Sequence, residues 1–152
     1  MTLKILLTGG AGYIGSHTFV ALRAAGFEPV VLDNFANSHP AVLERLERIT
    51  GQPVLLERGD VLDTPWVEAV LRRHQPVGVV HFAGDKAVGE SVALPLKYFH
   101  NNIGGAVSLL RAMETVHAEA PGHAPTLVFS SSATVYGDPA SVPITENFPR
   151  SH

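Results

Sequence analysis

Residues 8–15 read Thr8-Gly9-Gly10-Ala11-Gly12-Tyr13-Ile14-Gly15, a loop with glycines at 9, 12 and 15. A short apolar run, Lys4-Ile5-Leu6-Leu7-Thr8, leads into it, and a helix-forming stretch over residues 13–26 leads out. In a strand–turn–helix of this kind each glycine has its own task. Gly9 allows the tight turn, Gly12 lets the backbone approach a pyrophosphate, and Gly15 permits close packing of helix on strand. The helix start presents unpaired N–H groups and partial positive charge to the phosphates. Alone, such a spacing also occurs in turns that bind nothing. Its acidic partner gives it weight: Asp33 closes the next apolar run, 21 residues past Gly12, near the ~20-residue offset of a dinucleotide site. A carboxylate there can accept from both ribose hydroxyls of an adenosine and repels a 2′-phosphate, which favours NAD over NADP. The alternative for Asp33 is a turn aspartate beside Asn34.

Outward from this loop, near-continuous apolar runs at 4–8, 29–33, 53–57, 77–82 and 125–130 each end in turn formers. Continuous rather than alternating runs suit parallel strands, which helices cover on both faces. Helical stretches lie between them. Residues 13–26 carry Ile14, Thr18, Ala21, Leu22 and Ala25 at helical spacing, and 41–49 place Val42, Leu46 and Ile49 on one face. Pro65 suits a helix start, with Trp66, Val67, Val70 and Leu71 behind it. The longest helix is expected from about Pro95, with a stripe of Leu96, Phe99, Ile103, Val107, Leu110 and Met113. The default reading of each stripe is core packing. The alternation predicts an α/β fold, a Rossmann-type doubly wound parallel sheet of order 3-2-1-4-5. Residues 138–152, with Pro139, Pro143 and Pro149, read as an extended loop.

Composition bounds the function. Of 152 residues 45% are hydrophobic and 16% charged, which is core-forming and excludes general disorder. The net charge of −3 leaves no basic stripe for nucleic acid. The absence of cysteine excludes disulfides, zinc–cysteine sites and thiol catalysis. The histidines show no ligand-pair spacing, so no metal is expected. No apolar run approaches the ~18 residues of a membrane span, and Ile5-Leu6-Leu7 is too short for a signal-peptide core. A cytoplasmic protein is expected.

Three further segments reach the carboxyl edge of the predicted sheet, where ligands bind in such folds. Gly59-Asp60-Val61 follows the third run, and Asp60 reads equally as a turn cap or an adenine contact. His81-Phe82-Ala83-Gly84 ends the fourth, followed by Asp85 and Lys86. Phe82, Ala83 and Gly84 allow close backbone passage, and Lys86 brings positive charge toward a phosphate or a carbohydrate hydroxyl. His81 reads as a satisfied strand-end histidine rather than a catalyst. Ser130-Ser131-Ser132 ends the fifth run, and a hydroxyl there can donate to a substrate oxygen or simply build a serine-rich turn.

Together these segments resemble the amino-terminal part of the UDP-glucose 4-epimerases, of the extended short-chain dehydrogenase/reductase family. The resemblance covers residues 3 to about 149. It rests on TGGAGYIGSH at 8–17, LDNFANS at 32–38, GD at 59–60, HFAGDKAVGES at 81–91, NN at 101–102 and SSSATVYGD at 130–138. It implies that Gly9, Gly12, Tyr13 and Ile14 hold the pyrophosphate of NAD. Asp33, Asn34, Asn37 and Ser38 would surround the adenosine ribose, with Asp60 and Val61 near the adenine. Phe82, Ala83, Gly84, Lys86 and Asn101 would line the rest of the cofactor site. Ser132 matches the active-site serine that hydrogen-bonds the sugar O4 of a UDP-sugar. Asp85 replaces a leucine, and Ala106 stands where threonine is usual.

The family's base, a tyrosine with a lysine four residues later, has no match. Tyr13, Tyr98 and Tyr136 are followed at that distance by His17, Asn102 and Ala140. The resemblance therefore implies an incomplete NAD-binding domain over 1–152, without its remaining strands and substrate domain, inactive alone. It also implies a homodimer for the full protein, pairing helices that include the long one. A 4,6-dehydratase is a second reading, opposed by Ala133-Thr134 where such enzymes carry an adjacent Asp-Glu pair. A stand-alone, non-catalytic NAD-binding module is a third. Strand 125–130 would form an apolar edge, and the long helix would lack its cover, so self-association is expected.

Overall fold

The computed structural model describes residues 2–150. Five parallel strands form one sheet in the order β3-β2-β1-β4-β5. They are β1 (Lys4–Thr8), β2 (Glu28–Asp33), β3 (Leu55–Arg58), β4 (Gly78–His81) and β5 (Thr126–Phe129). Helices α1 (Tyr13–Ala24), α2 (Ala41–Thr50) and α3 (Thr64–His74) connect the first strands. After β4 come α4 (Val88–Ala93), α5 (Pro95–Tyr98), a π-helical segment (Phe99–Gly104) and α6 (Gly105–Glu119). A 3-10 turn, Ala133–Tyr136, follows β5, and 138–150 hold no helix or strand. The predicted fold and strand order are the observed ones.

Strand alternation divides the core between the two faces. Leu6, Val30, Leu32 and Val79 pack with Val67, Val70 and Leu71 of α3 and Leu109, Ala112 and Val116 of α6. Leu7 and Val31 pack on the opposite face with Ala11, Phe19 of α1 and Leu46 of α2. The sense in which successive strands are added reverses at β1, which lies between β2 and β4. There Gly9 N–H donates to Leu32 O at 2.8 Å and Phe82 N–H to Thr8 O at 2.9 Å, carrying the ladder to the carboxyl edge. Pro65 lies in the first turn of α3, as expected, and the Asp63 side chain caps the helix by accepting from Trp66 N–H.

Two helices turn a different face inward than their apolar spacing predicts. In α1, Ile14 is 58% exposed and Ala21 exposed, while Gly15 and Phe19 are buried; of the predicted apolar stripe Leu22 packs on the core. Gly15 sets this phase, because a Cβ there would lie 2.4 Å from Gly9 O. Only the glycine face can approach the loop, and Phe19, one turn on, follows it inward. The long helix is continuous from Pro95 to Glu119, yet Leu96, Phe99, Ile103, Val107 and Leu110 are exposed. Its buried face is Gly105, Ser108, Leu109, Ala112 and Val116. Small residues let it settle on α3: a Cβ at Gly105 would meet Val61 Cγ1 at 2.9 Å, and Ser108 Oγ lies 2.7 Å from Thr64 Oγ1. Of the predicted stripe only Met113 packs on the core. In α2, Leu46 is buried and Val42 packs, while Ile49 is exposed. The α3 face matches the reading.

Candidate functional site

A cleft of about 600 Å³ opens at the carboxyl ends of the strands, over the switch between β1 and β4. Its floor is the glycine loop. Gly9 has φ +69°, and a Cβ there would sit 2.7 Å from Ala83 N, so only glycine lets the β1 and β4 ends meet. Gly12 caps α1 with extended backbone and no side-chain hydrogen bond, and the first turn holds no acidic side chain, an arrangement that suits an anion.

Asp33 forms the next wall and is only 7% exposed. Its Oδ2 accepts from Ala11 N–H at 2.9 Å, and its Oδ1 accepts from Phe35 N–H at 2.9 Å and the Ser38 hydroxyl at 2.8 Å. It is thus both the turn aspartate and a cleft residue. Asn34 donates to Asp60 Oδ2 at 2.9 Å, tying the loop after β2 to the turn after β3. Asp60 Oδ1 accepts from Leu62 N–H, so Asp60 caps its turn while lining the cleft.

Gly9, Gly12, Asp33, Asn34, Asn37, Ser38, Asp60, Val61, Phe82, Ala83, Gly84, Lys86 and Asn101 all border this one cleft. Tyr13 and Ile14 stand outside its lining at the start of α1, 82% and 58% exposed. Ser132 also lies outside it. Its hydroxyl accepts from Thr134 N–H at 3.2 Å and lies 2.7 Å from Thr134 Oγ1, which caps the 3-10 turn. His81 is the satisfied strand-end residue expected: it is 4% exposed, with Nδ1 2.6 Å from Thr8 Oγ1. Burial, then the nearby Lys86 charge, holds its pKa below the ordinary value.

The sequence reading missed the far wall. Asn102 grips the backbone of Asp85 twice, its Nδ2 donating to Asp85 O at 3.0 Å and its Oδ1 accepting from Asp85 N–H at 2.7 Å. This sets the Gly84–Asp85 turn, and the π-helical winding at 99–104 supplies both Asn101 to the cleft and Asn102 to the clamp. The NN pair was the available signal. Glu90, Lys97 and Tyr98 also line the cleft. Lys97 Nζ donates to both Glu90 oxygens at 2.9 Å and lies 3.7 Å from Asp85 Oδ2. The Tyr98 hydroxyl donates to Glu90 Oε2 at 2.8 Å. Desolvation and then Glu90 push the Tyr98 pKa up, so this phenol is a hydrogen-bond donor and not a ready base. Among the described residues no histidine–acid cluster of metal-binding geometry occurs.

The family model described as GDP-mannose 4,6 dehydratase matches residues 6–151. The UDP-glucose 4-epimerase of Bacillus subtilis is 52% identical over 147 residues, 97% of this chain and 42% of that protein. The structure of the Bifidobacterium longum UDP-glucose 4-epimerase in complex with NAD+ and UDP superposes with TM-score 0.88 at 44% identity, over 97% of this chain and 42% of that one. The Stenotrophomonas maltophila UDP-glucose 4-epimerase with bound NAD and formylated UDP-arabinopyranose gives 0.87 at 42% identity, over 98% and 43%. The chain thus spans about 42% of the length of the relatives it matches. By this match the chain belongs to the GDP-mannose 4,6 dehydratase family and is similar along its length to the amino-terminal part of UDP-glucose 4-epimerases.

Proposed function

We propose that this chain is the NAD-binding part of a UDP-glucose 4-epimerase, a protein that interconverts UDP-galactose and UDP-glucose. One observation carries the reading: the side-chain-free loop at Gly9 and Gly12 and the buried Asp33 carboxylate border the same cleft as Lys86 and Asn101. The donor set suits a dinucleotide: uncapped amides for a pyrophosphate and an anionic acceptor for a ribose diol. Gly9 and Gly12, with Tyr13 and Ile14 at the helix start, would hold the pyrophosphate. Asp33, Asn34, Asn37 and Ser38 would take the adenosine ribose, and Asp60 and Val61 the adenine side. Phe82, Ala83, Gly84, Lys86 and Asn101 would line the remainder.

When bound, NAD supplies a hydride acceptor and donor for C4 of the sugar. The chain's own residues position and polarise. Asn102 fixes the Gly84–Asp85 turn, and the Ser132 hydroxyl would orient the sugar O4 by donating a hydrogen bond. The sequence contains no Tyr-x-x-x-Lys, so it holds no counterpart of the family's base. A dehydratase reading draws on the name of the family model, but Ala133-Thr134 occupies the place of its acid pair. A homodimer, built on the exposed Phe99, Ile103, Val107 and Leu110 face, belongs to the same reading of the full protein. So does a cytoplasmic location; no helix among the described residues is long and apolar enough to cross a membrane.

The test is conversion of UDP-galactose by the 152-residue chain with added NAD. No measurable turnover is expected, because the base is absent. Turnover within about tenfold of a full-length relative, or ~1.4 kcal/mol in barrier, would contradict the assignment of roles.

A further inference from the structure

Arg58 closes β3 beside Asp33, its register partner across the β2–β3 pair. Register partners on neighbouring strands share a face of the sheet. The Asp33 carboxylate and the Arg58 side chain therefore lie on the same side of the sheet at its carboxyl end; Asp33 borders the cleft, and Arg58 stands just outside its lining. Arg58 is exposed, and its guanidinium lies over the Phe35 ring, 5.6 Å from the centroid. Phe35 is fixed in turn by Asp33, which accepts its N–H at 2.9 Å and holds it in the left-handed region, with φ +59°. One carboxylate thus faces the ribose position and, through Phe35, sets where a cation rests.

That cation is uncommitted. Arg72, Arg73 and Lys97 each hold a carboxylate. Arg58 has none within ion-pair distance among the described residues; its guanidinium rests on the Phe35 ring. A stacked guanidinium keeps its N–H edge free, and that edge matches a phosphate in two-point geometry. In dinucleotide folds the ribose position carries either an acidic residue that holds the diol or a nearby arginine that accommodates a 2′-phosphate, and here a carboxylate and a guanidinium stand on neighbouring strands.

We propose that Arg58 is a specificity-determining residue: it attracts the 2′-phosphate of NADP and offsets part of the repulsion from Asp33. The inference rests on the NAD reading of the cleft. It means that this chain rejects NADP less strongly than Asp33 alone would dictate, and that removing Arg58 sharpens the preference for NAD. The stacked position matters as well as the charge, so lysine is an incomplete substitute.

Calorimetric titration of the chain and of Arg58→Gln and Arg58→Lys with NAD, NADP, 5′-AMP and 2′,5′-ADP tests this. The nucleotide pair isolates the 2′-phosphate. Arg58→Gln is expected to weaken NADP and 2′,5′-ADP roughly fivefold, while NAD and 5′-AMP change less than about twofold. Arg58→Lys should fall between, and raising the salt should close the gap between the chain and Arg58→Gln for NADP. An equal loss for NAD and NADP would assign Arg58 a structural role and overturn the inference. So would NADP binding that ignores both variants while NAD still binds, an outcome that leaves the cofactor reading intact. Failure of the unmutated chain to bind either dinucleotide would instead overturn the cofactor reading, and this inference with it.

Discussion

Ala11, Phe35 and Ser38 all donate to the Asp33 carboxylate, and Oδ2 keeps a lone pair free. One ribose hydroxyl can bond there directly, and the other must displace or share with Ser38. NAD is expected to bind at least about tenfold more tightly than NADP, or about 1.4 kcal/mol. Asp33→Ala should shrink that gap, as measured by titration with both cofactors; equal binding by the unmutated chain would show that Asp33 does not face a ribose. His81 gives a pH-dependent counterpart. Burial and Lys86 depress its folded pKa below the ordinary 6.5, so on acidification the unfolded chain takes up the proton first. The stability it contributes is complete above pH 6.5 and declines as pH falls from there toward the folded pKa. Thermal melts of the chain and of His81→Gln across pH 7.5 to 5.5 should show a smaller acid loss in the variant, and parallel losses would contradict the assignment. Asp33 and the glycines were legible because their signal is local, a spacing along one loop and its neighbouring strand. Asn102, Glu90 and Tyr98 were not: Asn102 reaches Asp85 from the π-helical segment, and Tyr98 of α5 meets Glu90 of α4, pairings that no local spacing marks.

Helix faces were read from apolar spacing, and α1 shows why that misleads. Its phase follows the closest backbone approach, Gly15 on Gly9, and the apolar Ile14 is turned outward. Gly15→Ala should therefore cost about 1–3 kcal/mol by overpacking, measured by urea denaturation, whereas Ile14→Ala should cost far less. Reversed costs would show that apolar spacing sets the helix after all. In α6 the same logic holds: the small Gly105, Ser108 and Ala112 set the buried face together with Leu109 and Val116, while Val107 and Leu110 are outside. The central strands β1, β2 and β4 read correctly because a parallel strand buried on both faces needs no choice of face. Beside them, Glu57 on β3 is held by Arg73 at 2.6 Å and His74 at 2.6 Å. Burial works to raise its pKa, but these donors outweigh it and leave the pKa below the ordinary 4.5. That contribution is present above pH 4.5 and fades as pH falls through the lowered value.

Apolar side chains stand open on the edge strand and on the long helix. Val128 and Phe129 on the edge strand β5 are 54% and 57% exposed, and the long helix presents Phe99, Ile103, Val107 and Leu110. An unpaired apolar edge and an unpartnered apolar helix face both favour association. Light scattering after size exclusion should show a mass that rises with concentration, and Ile103→Ser with Leu110→Ser should lower it without loss of the melt. A clean monomer at high micromolar concentration would show that the sheet is self-sufficient. The carboxyl-edge cleft is floored by the ends of β1, β2 and β4, and the start of the long helix forms its far wall. The most direct measurement is therefore a calorimetric titration of the 152-residue chain with NAD. Saturable binding of one NAD per chain is predicted, weakened by Asp33→Ala; an unmutated, folded chain that shows no saturable heat with NAD would contradict the account.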